Sequence, residues 1–218
     1  MQHAFNSMME ALETRQQELM RAMSAALESA HALLQRLGAL DGDGLSALGQ
    51  QLAALPLHPR LGRLVLAAKE LGIARLGASA AALLAERPLR YSRRKREAAR
   101  AASRSDIGDD CHLLDEITGA RNIGAAARSA QADPSTARQA DKARKQILRA
   151  LGKTRDASLD AEAEEDALAQ ALLKAFPDRV AKRKVPRSKS FLMCEGGAVT
   201  QCASSAVLEA EYVVALDA

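Results

Sequence analysis

The sequence predicts a mainly α-helical protein with a tight hairpin near residue 42 and a small β segment at its C-terminus. Hydrophobic residues make up 48% of the 218 residues but aromatic residues only 2%, so the core must be built from Ala and Leu, which favour helices. Apolar residues recur at helical spacing as far as Phe176. After Pro177, short apolar runs flank a turn at residues 195–197, a pattern typical of a β-hairpin.

Composition and charge argue against several classes of protein. The 31 Lys and Arg residues exceed the 27 Asp and Glu residues by only four, and this net charge is too small to identify a partner. The three Cys residues form no Cys-x-x-Cys pair, which argues against a zinc ribbon or disulfide scaffold and fits a reducing cytoplasm. Because no apolar run approaches ~18 residues and no secretory signal is visible, we expect a cytoplasmic protein without a membrane span.

A long N-terminal helix is predicted to begin at Asn6 or Ser7 and to reach Leu37. We expect this helix to pack on its own domain, and a coiled-coil dimer is the alternative. The alternative rests on apolar residues that nearly trace a heptad seam, namely Leu12, Leu19, Met23, Ala26, Ala30, Leu33 and Leu37.

A hairpin and a short helix are predicted next. Leu40 and Leu45 flank Asp-Gly-Asp-Gly, a cluster of residues that tolerate a positive φ angle and therefore favour a tight hairpin. The Ser46 hydroxyl can then accept a hydrogen bond from a free backbone amide and cap a short helix over residues 47–55.

A proline corner separates this short helix from a longer one. Pro56 ends the first helix, and Pro59 starts the second, where its missing amide costs nothing. Gly72 closes the second helix. Its apolar residues fall on one face at helical spacing, and they are Leu61, Leu64, Val65, Ala68 and Leu71.

The stretch from residue 37 to residue 61 resembles the accessory region of DEAH-box helicases, and most closely that of the bacterial HrpB type. In that family, the winged-helix domain ends in a Leu-Gly-Ala-Leu-Asp hairpin followed by Leu-Thr-x-x-Gly. The ratchet-type helical domain then opens with Leu-Pro-x-x-Pro-Arg-Leu. The matching segments here are residues 37–41, 45–49 and 55–61.

A second match lies near the C-terminus, where residues 175–181 resemble the Ala-Tyr/Phe-Pro-Asp-Arg-Ile-Ala segment that leads into the family's OB-like β domain. We interpret the matching positions as structural, and we expect Arg60 to pair with an acid across the domain seam. The motif positions are Gly38, Leu40, Asp41, Gly49, Pro56, Pro59, Arg60, Pro177, Asp178 and Arg179.

The resemblance implies a mainly α fold class that combines a winged-helix remnant, a ratchet-type helical bundle and a small, incomplete or reduced, OB-like β segment. It divides the chain into four segments. Residues 1–26 form a helix without a family match, and residues 27–58 form the winged-helix end. Residues 59–156 form the ratchet-type helicase-associated domain, and residues 157–218 form a helix followed by the partial OB-like segment.

Four more helices and three strands are predicted after the proline corner. Asp133 and either Ser158 or Asp160 are expected to cap the last two helices, and Gly152 is expected to stop the third. The helices are residues 73–84, 106–117, 134–151 and 160–176. The strands are residues 190–194, 198–202 and 211–216.

Three basic clusters are candidates for contact with phosphate groups, and a solvated helix face is the alternative for each. They lie between residues 87 and 104, on the outer face of helix 134–151, and between residues 182 and 189. From this clustering, and not from the resemblance, we predict nucleic-acid contact at Arg93, Arg94, Arg96, Arg144, Lys145, Lys182, Arg183 and Lys184.

Catalytic motifs are incomplete in this sequence. Residues 119–124 have the glycine spacing of a P-loop, but Ala125 and Ala126 replace the Lys and Ser/Thr that hold phosphate and magnesium, so we interpret this segment as a loop. Residues 109–112 imitate an Asp-Glu-x-His box without the buried strand that would precede it, and we interpret them as a helix cap. No cofactor and no metal site are predicted for this chain.

The resemblance implies the accessory, nucleic-acid-guiding part of an ATP-dependent helicase. In that family, two RecA-like motor domains use ATP and Mg²⁺, and the accessory domains complete a channel for single-stranded RNA or DNA. Because this chain lacks the motor motifs, we expect no ATP hydrolysis by the chain alone. The predicted partners are single-stranded RNA or DNA and a separately encoded motor. The alternatives are a helical protein-interaction module, which docks on a motor or dimerises, and a gene fragment without function.

Overall fold

The computed structural model describes residues 2–42, 44–86, 88–89, 104–203 and 205–216. Within these ranges the chain forms eight α-helices and two small antiparallel sheets, which confirms the prediction of a mainly α fold with a C-terminal β segment. The chain divides into two compact units, Met1–Gln50 and Gln51–Ala218. Among the described residues, no helix has the length and apolarity that crossing a membrane requires.

The first unit contains a long helix and a tight hairpin. Helix α1 spans Gln2–Arg36, and Gly38 adopts a φ of 73° just after it. Strands β1 (Leu40–Asp41) and β2 (Gly44–Leu45) then pair antiparallel, with Leu40 opposite Leu45. The predicted hairpin is therefore confirmed.

The hairpin lies close to the start of helix α2 (Ala47–Ala53), which ends two residues before the predicted limit. The Gly49 amide donates a hydrogen bond of 2.9 Å to the Ser46 hydroxyl, which confirms the predicted cap. A Cβ atom at Gly49 would lie 2.0 Å from the carbonyl oxygen of Ala39, so only glycine fits at this motif position.

The apolar side chains along much of α1 are exposed, so the expectation that this helix packs along its own domain is wrong. A helix of 35 residues is about 52 Å long, and the short hairpin of this unit cannot cover it. Among the α1 side chains that the structure describes, the most exposed apolar ones are Leu12, Leu19, Met20, Met23 and Leu27, with exposed fractions between 52% and 72%.

Six helices form the bundle of the second unit, and α4 lies at its centre in contact with α3, α5 and α7. Helix α3 also packs on α8, and α6 packs on α5 and α7. The bounds are Pro59–Glu70 for α3, Ala74–Ala85 for α4, Asp106–Gly119 for α5, Ile123–Ser129 for α6, Pro134–Leu151 for α7 and Ala161–Ala175 for α8.

Alanine and leucine build the core of this bundle, as the composition predicts. Ala67, Ala68, Ala78 and Ala80 are fully buried, and so is Leu64. Helices α3 and α4 approach so closely that a Cβ atom at position 77 would lie 2.1 Å from the Ala68 Cβ atom. Gly77 costs α4 about 1 kcal/mol of intrinsic helix propensity, and the close packing offsets this cost.

Most predicted helix ends are confirmed. The amides of Ser135 and Ala163 donate hydrogen bonds of 2.8 Å to the carboxylates of Asp133 and Asp160, respectively. Gly152 follows α7 with a positive φ of 69°. Helix α6 was not predicted: it begins after Asn122, whose side chain caps it, so the interpretation of residues 119–124 as a loop is only partly correct.

The C-terminal sheet contains four strands in the order β5-β4-β3-β6, all antiparallel. The three predicted strands are present, in shorter form, as the last three of this unit. Strand β3 was not predicted, because the consecutive basic residues 182–184 were interpreted as a basic cluster. The bounds are Val180–Arg183 for β3, Ser190–Met193 for β4, Ala198–Thr200 for β5 and Tyr212–Val214 for β6.

A bidentate ion pair joins α3 to the turn that leads into this sheet. The Arg60 guanidinium donates hydrogen bonds of 2.5 Å and 2.7 Å to the two carboxylate oxygens of Asp178, which lies in the 3₁₀ turn Pro177–Arg179. Both side chains are about 85% buried, with exposed fractions of 14% and 15%, and the guanidinium also lies 5.5 Å from the centre of the Phe176 ring. The expectation that Arg60 pairs with an acid is confirmed.

Replacing Asp178 with Asn should lower the free energy of unfolding by about 2–4 kcal/mol, because it leaves the largely buried Arg60 guanidinium without its carboxylate. Lys174→Ala is the matched control. It removes the exposed Lys174–Glu70 pair, which joins α3 to α8 just before that turn, and should cost less than about 1 kcal/mol. Urea denaturation followed by circular dichroism measures both free energies of unfolding. Equal losses of stability in the two variants would contradict the stabilising role of the buried pair.

The same pair should make stability depend on pH. Hydrogen bonds from Arg60 hold the pKa of Asp178 below its ordinary value of 3.8, against the opposing effect of burial. A carboxylate with a lowered pKa in the folded state stabilises the protein above its ordinary pKa, and the contribution is lost as pH falls through the lowered value. The stability difference between wild type and Asp178→Asn should therefore shrink below pH 3.8. An unchanged difference in acid would contradict the assignment.

Candidate nucleic-acid interface

The predicted phosphate contacts fall on three parts of the chain. Arg93, Arg94 and Arg96 lie outside the described residues. Two of the remaining residues lie on α7, and the other three lie in or directly after β3. They are Arg144 and Lys145 on α7, and Lys182, Arg183 and Lys184 at β3.

Helix α7 carries a row of exposed cations, which we call the α7 basic face. It consists of Arg138, Lys142, Lys145 and Arg149, which recur at intervals of four and three residues and therefore share one side of the helix. The row is about 16 Å long at 1.5 Å per residue. Lys145 is 60% exposed at its side chain and donates a hydrogen bond of 2.6 Å to Asp141.

Arg144 does not belong to this face, and the prediction that it contacts phosphate is not supported. Its side chain is only 5% exposed, and its guanidinium pairs with Asp115 on α5 and, at 2.5 Å, with Asp141 on α7. The same guanidinium donates to the hydroxyl groups of Thr118 at 3.2 Å and Ser79 at 3.4 Å. Because its charge is neutralised inside the bundle, Arg144 acts as a structural link between α4, α5 and α7.

Electrostatics keep this internal cluster charged. Burial alone would raise the pKa of Asp141, but hydrogen bonds from Lys145 and Arg144 outweigh burial and lower that pKa. Arg75 on α4 donates a hydrogen bond of 2.9 Å to Asp115, so the two aspartates share three cations. The cluster is thus an ionic network that ties three helices together.

Arg183 is also buried, so its predicted phosphate contact is not supported either. It is 8% exposed, its Nε atom donates to the carbonyl oxygen of Ala210 at 2.9 Å, and Nη1 donates to that of Ser188. Its guanidinium lies 4.4 Å from the centre of the Phe191 ring. Side chains alternate between the two faces of a strand, so its neighbours Lys182 and Lys184 point the other way and are exposed.

The exposed face of the C-terminal sheet combines cations with apolar and aromatic side chains. Lys182 lies opposite Tyr212 on one side and Leu192 on the other, and the three residues form a row across β6, β3 and β4. The Lys182 Nζ atom is 5.4 Å from the centre of the Tyr212 ring and 3.3 Å from a carboxylate oxygen of Glu211. Hydrogen bonding to Tyr212 and to Glu211 raises the pKa of Lys182. The sequence did not single out Tyr212, because its position on this face depends on strand register.

Metal and nucleotide sites find little support in the described part of the chain. Its His, Cys, Asp and Glu residues form no group of three or more that could hold a metal ion. Residues 109–112, interpreted as a helix cap, lie inside α5, and the cap is Ser105, whose hydroxyl accepts a hydrogen bond of 3.1 Å from the Gly108 amide.

Known proteins that are similar to this chain include HrpB helicases of Escherichia coli. No protein-family model matches the chain. The ATP-dependent RNA helicase HrpB of Escherichia coli (strain K12) is 48% identical to this chain over 62 residues, which are 28% of this chain and 8% of that protein.

Solved structures extend this likeness to the fold. The crystal structure of the E. coli DExH-box NTPase HrpB matches 86% of this chain and 18% of that chain, with 28% identity and a TM-score of 0.54. A crystal structure of the Escherichia coli DEAH/RHA helicase HrpB matches 87% of this chain and 19% of that chain, with the same identity and TM-score. The chain thus spans less than a fifth of the HrpB chains that it matches. The predicted resemblance to the C-terminal accessory region of an HrpB-type DEAH-box helicase is confirmed.

Proposed function

We propose that this chain is the nucleic-acid-guiding accessory part of an HrpB-like helicase and that it binds the backbone of single-stranded RNA or DNA without sequence preference. The observation that carries this proposal is the pair of exposed basic surfaces on a fold similar to HrpB. In this proposal, residues 59–156 act as the ratchet-type domain and residues 157–218 as a partial OB-like domain. The proposed compartment is the cytoplasm.

The α7 basic face supports backbone binding because its cations point to solvent. Arg138, Lys142 and Arg149 are exposed, and Lys145 shares its carboxylate partner with the buried Arg144. Cations in such a row can replace the counterions of a phosphate backbone, and the released ions favour binding. Backbone contact of this kind is electrostatic and therefore tolerant of sequence.

The C-terminal sheet supplies the second basic surface. Lys182 on β3 and Lys184 directly after β3 lie two residues apart in the sequence, and both are exposed. The second unit therefore has exposed cations on two different elements, whereas Arg144 and Arg183 make internal contacts. Extended positive surfaces of this kind are typical of proteins that track a single strand.

ATP hydrolysis is assigned to a separate motor in this proposal. The relatives are an ATP-dependent RNA helicase and a DExH-box NTPase, but the sequence of this chain contains neither a Walker A motif nor a DEAH box. We therefore assign ATP and Mg²⁺ to RecA-like motor domains, and the chain itself to strand guidance.

Binding of a fluorescent single-stranded oligonucleotide should weaken as salt increases from 50 to 200 mM. The variant Lys142→Ala/Arg149→Ala should bind more weakly, and the slope of log affinity against log salt should fall by about 0.7 for each lost phosphate contact. Fluorescence anisotropy measures both quantities.

The control variant is Arg15→Ala/Arg21→Ala, which removes the same charge from exposed positions on α1. It should retain wild-type affinity if binding is local to α7. The proposal would be contradicted if the wild-type chain showed no salt-dependent binding, or if both double variants lost affinity for the oligonucleotide equally.

A second candidate function is self-association through α1, which the exposed apolar side chains of this helix favour. Leu12, Leu19 and Met23 are more than half exposed and lie on the nearly regular heptad seam. The occupant that fits a heptad seam is a second copy of the same helix, because two such seams interlock along their length. In this reading, the chain is an interaction module that dimerises.

Size-exclusion chromatography with light scattering should then show a dimer that Leu19→Glu/Met23→Glu converts to a monomer, because charges would be buried in the seam. Gln17→Glu/Ser24→Glu places the same charges on the outer face of α1 and should leave the dimer intact. A monomeric wild-type chain at every concentration tested would eliminate this candidate.

A further inference from the structure

We propose that Tyr212 is a stacking platform for one base of the bound strand, on the exposed face of the C-terminal sheet beside Lys182 and Lys184. This inference rests on the proposed binding of single-stranded nucleic acid and assigns a specific contact to it.

The strand register places Tyr212 at one end of an exposed row. Tyr212 pairs with Lys182, Lys182 with Leu192, and Leu192 with Ala198, so four strands each contribute one residue to the same face. Tyr212 is 55% exposed and Leu192 is 52% exposed. The row therefore offers an apolar and aromatic surface with a cation at its centre.

The opposite face of the sheet already supplies its core. Ala181 and Phe191 are buried there, and the Arg183 guanidinium covers the Phe191 ring. Tyr212 is thus not needed to fill that core. Phe176 and Phe191 are 6% and 2% exposed, so among these described aromatic side chains Tyr212 is the exposed one.

The charges around Tyr212 fit a phosphate backbone. Lys182 is paired with Glu211, but both side chains are more than half exposed, at 58% and 65%, and exposed pairs contribute little. A phosphate group can therefore replace Glu211 as the partner of Lys182. Lys184, which is also exposed, directly follows β3 two residues after Lys182, where it can meet a neighbouring phosphate.

Proteins that bind single strands without sequence preference combine these two features, a basic track and an aromatic side chain on which a base stacks. An acidic protein segment could also form ion pairs with the two lysines, but it would not account for an exposed aromatic ring beside them. The combination of Tyr212 with Lys182 and Lys184 therefore favours a single-stranded nucleic acid as the occupant.

The test compares Tyr212→Ala with Tyr212→Phe in the whole chain, using a labelled oligothymidylate and an oligomer of the same length with abasic sites. Tyr212→Ala should bind oligothymidylate about five- to tenfold more weakly with an unchanged salt slope, because a stacked base is lost and no phosphate contact is. Tyr212→Phe, which keeps the ring, should bind like wild type. Lys182→Ala should lower the salt slope by about 0.7.

The abasic oligomer separates stacking from other effects of the substitution, because it keeps the phosphates and removes the bases. Wild type and Tyr212→Ala should bind this oligomer equally. If wild type binds oligothymidylate and Tyr212→Ala binds it equally well, the stacking inference is wrong and the proposed function stands. If wild type binds neither oligomer, or binds polyglutamate more tightly than oligothymidylate, the proposed function fails together with the inference.

Discussion

The close approach of α3 and α4 is the constraint on which the bundle depends. A chain with 2% aromatic residues cannot fill wide spaces between helices, so its helices must approach until alanine side chains and backbone meet. Gly77 and Ala68 permit this contact, and buried alanines extend it along both helices. Small side chains tolerate little change in the distance between the helices. Ion pairs then fix the position of the outer elements. Arg60 joins α3 to the turn before the sheet, and Arg144 joins α7 to α5.

These charged links explain why clustering of basic residues predicted the site only in part. Arg144 and Lys145 are neighbours in the sequence, yet one is buried in an ionic network and the other lies on the surface. Successive residues of a helix differ by about 100° in direction, so a one-residue step turns a side chain from the seam to solvent. The one local hint was Asp141, which lies three and four residues before the two cations. Helix α5 was predicted, but the sequence did not show that its Asp115 pairs with Arg144.

The fold was predictable where the signal is local. Prolines, helix caps and the residues around the hairpin each act within a few positions, and the structure has these features where the sequence predicted them. The missed elements depend on distant partners. Strand β3 is a strand because β4 and β6 pair with it on both sides, and α6 is a seven-residue helix that packs on α5 and α7. Such short segments have too little periodicity of their own to be recognised.

Periodicity also determines which cations remain available to a ligand. In β3 the two-residue alternation buries Arg183 against Phe191 and turns Lys182 and Lys184 outward, next to Tyr212. In α7 the helical repeat buries Arg144 and exposes the α7 basic face. The fold thus divides each of these two clusters into an inner cation that stabilises the protein and outer cations that remain in solvent. The exposed cations therefore lie on elements that are held in place by buried arginines from the same clusters.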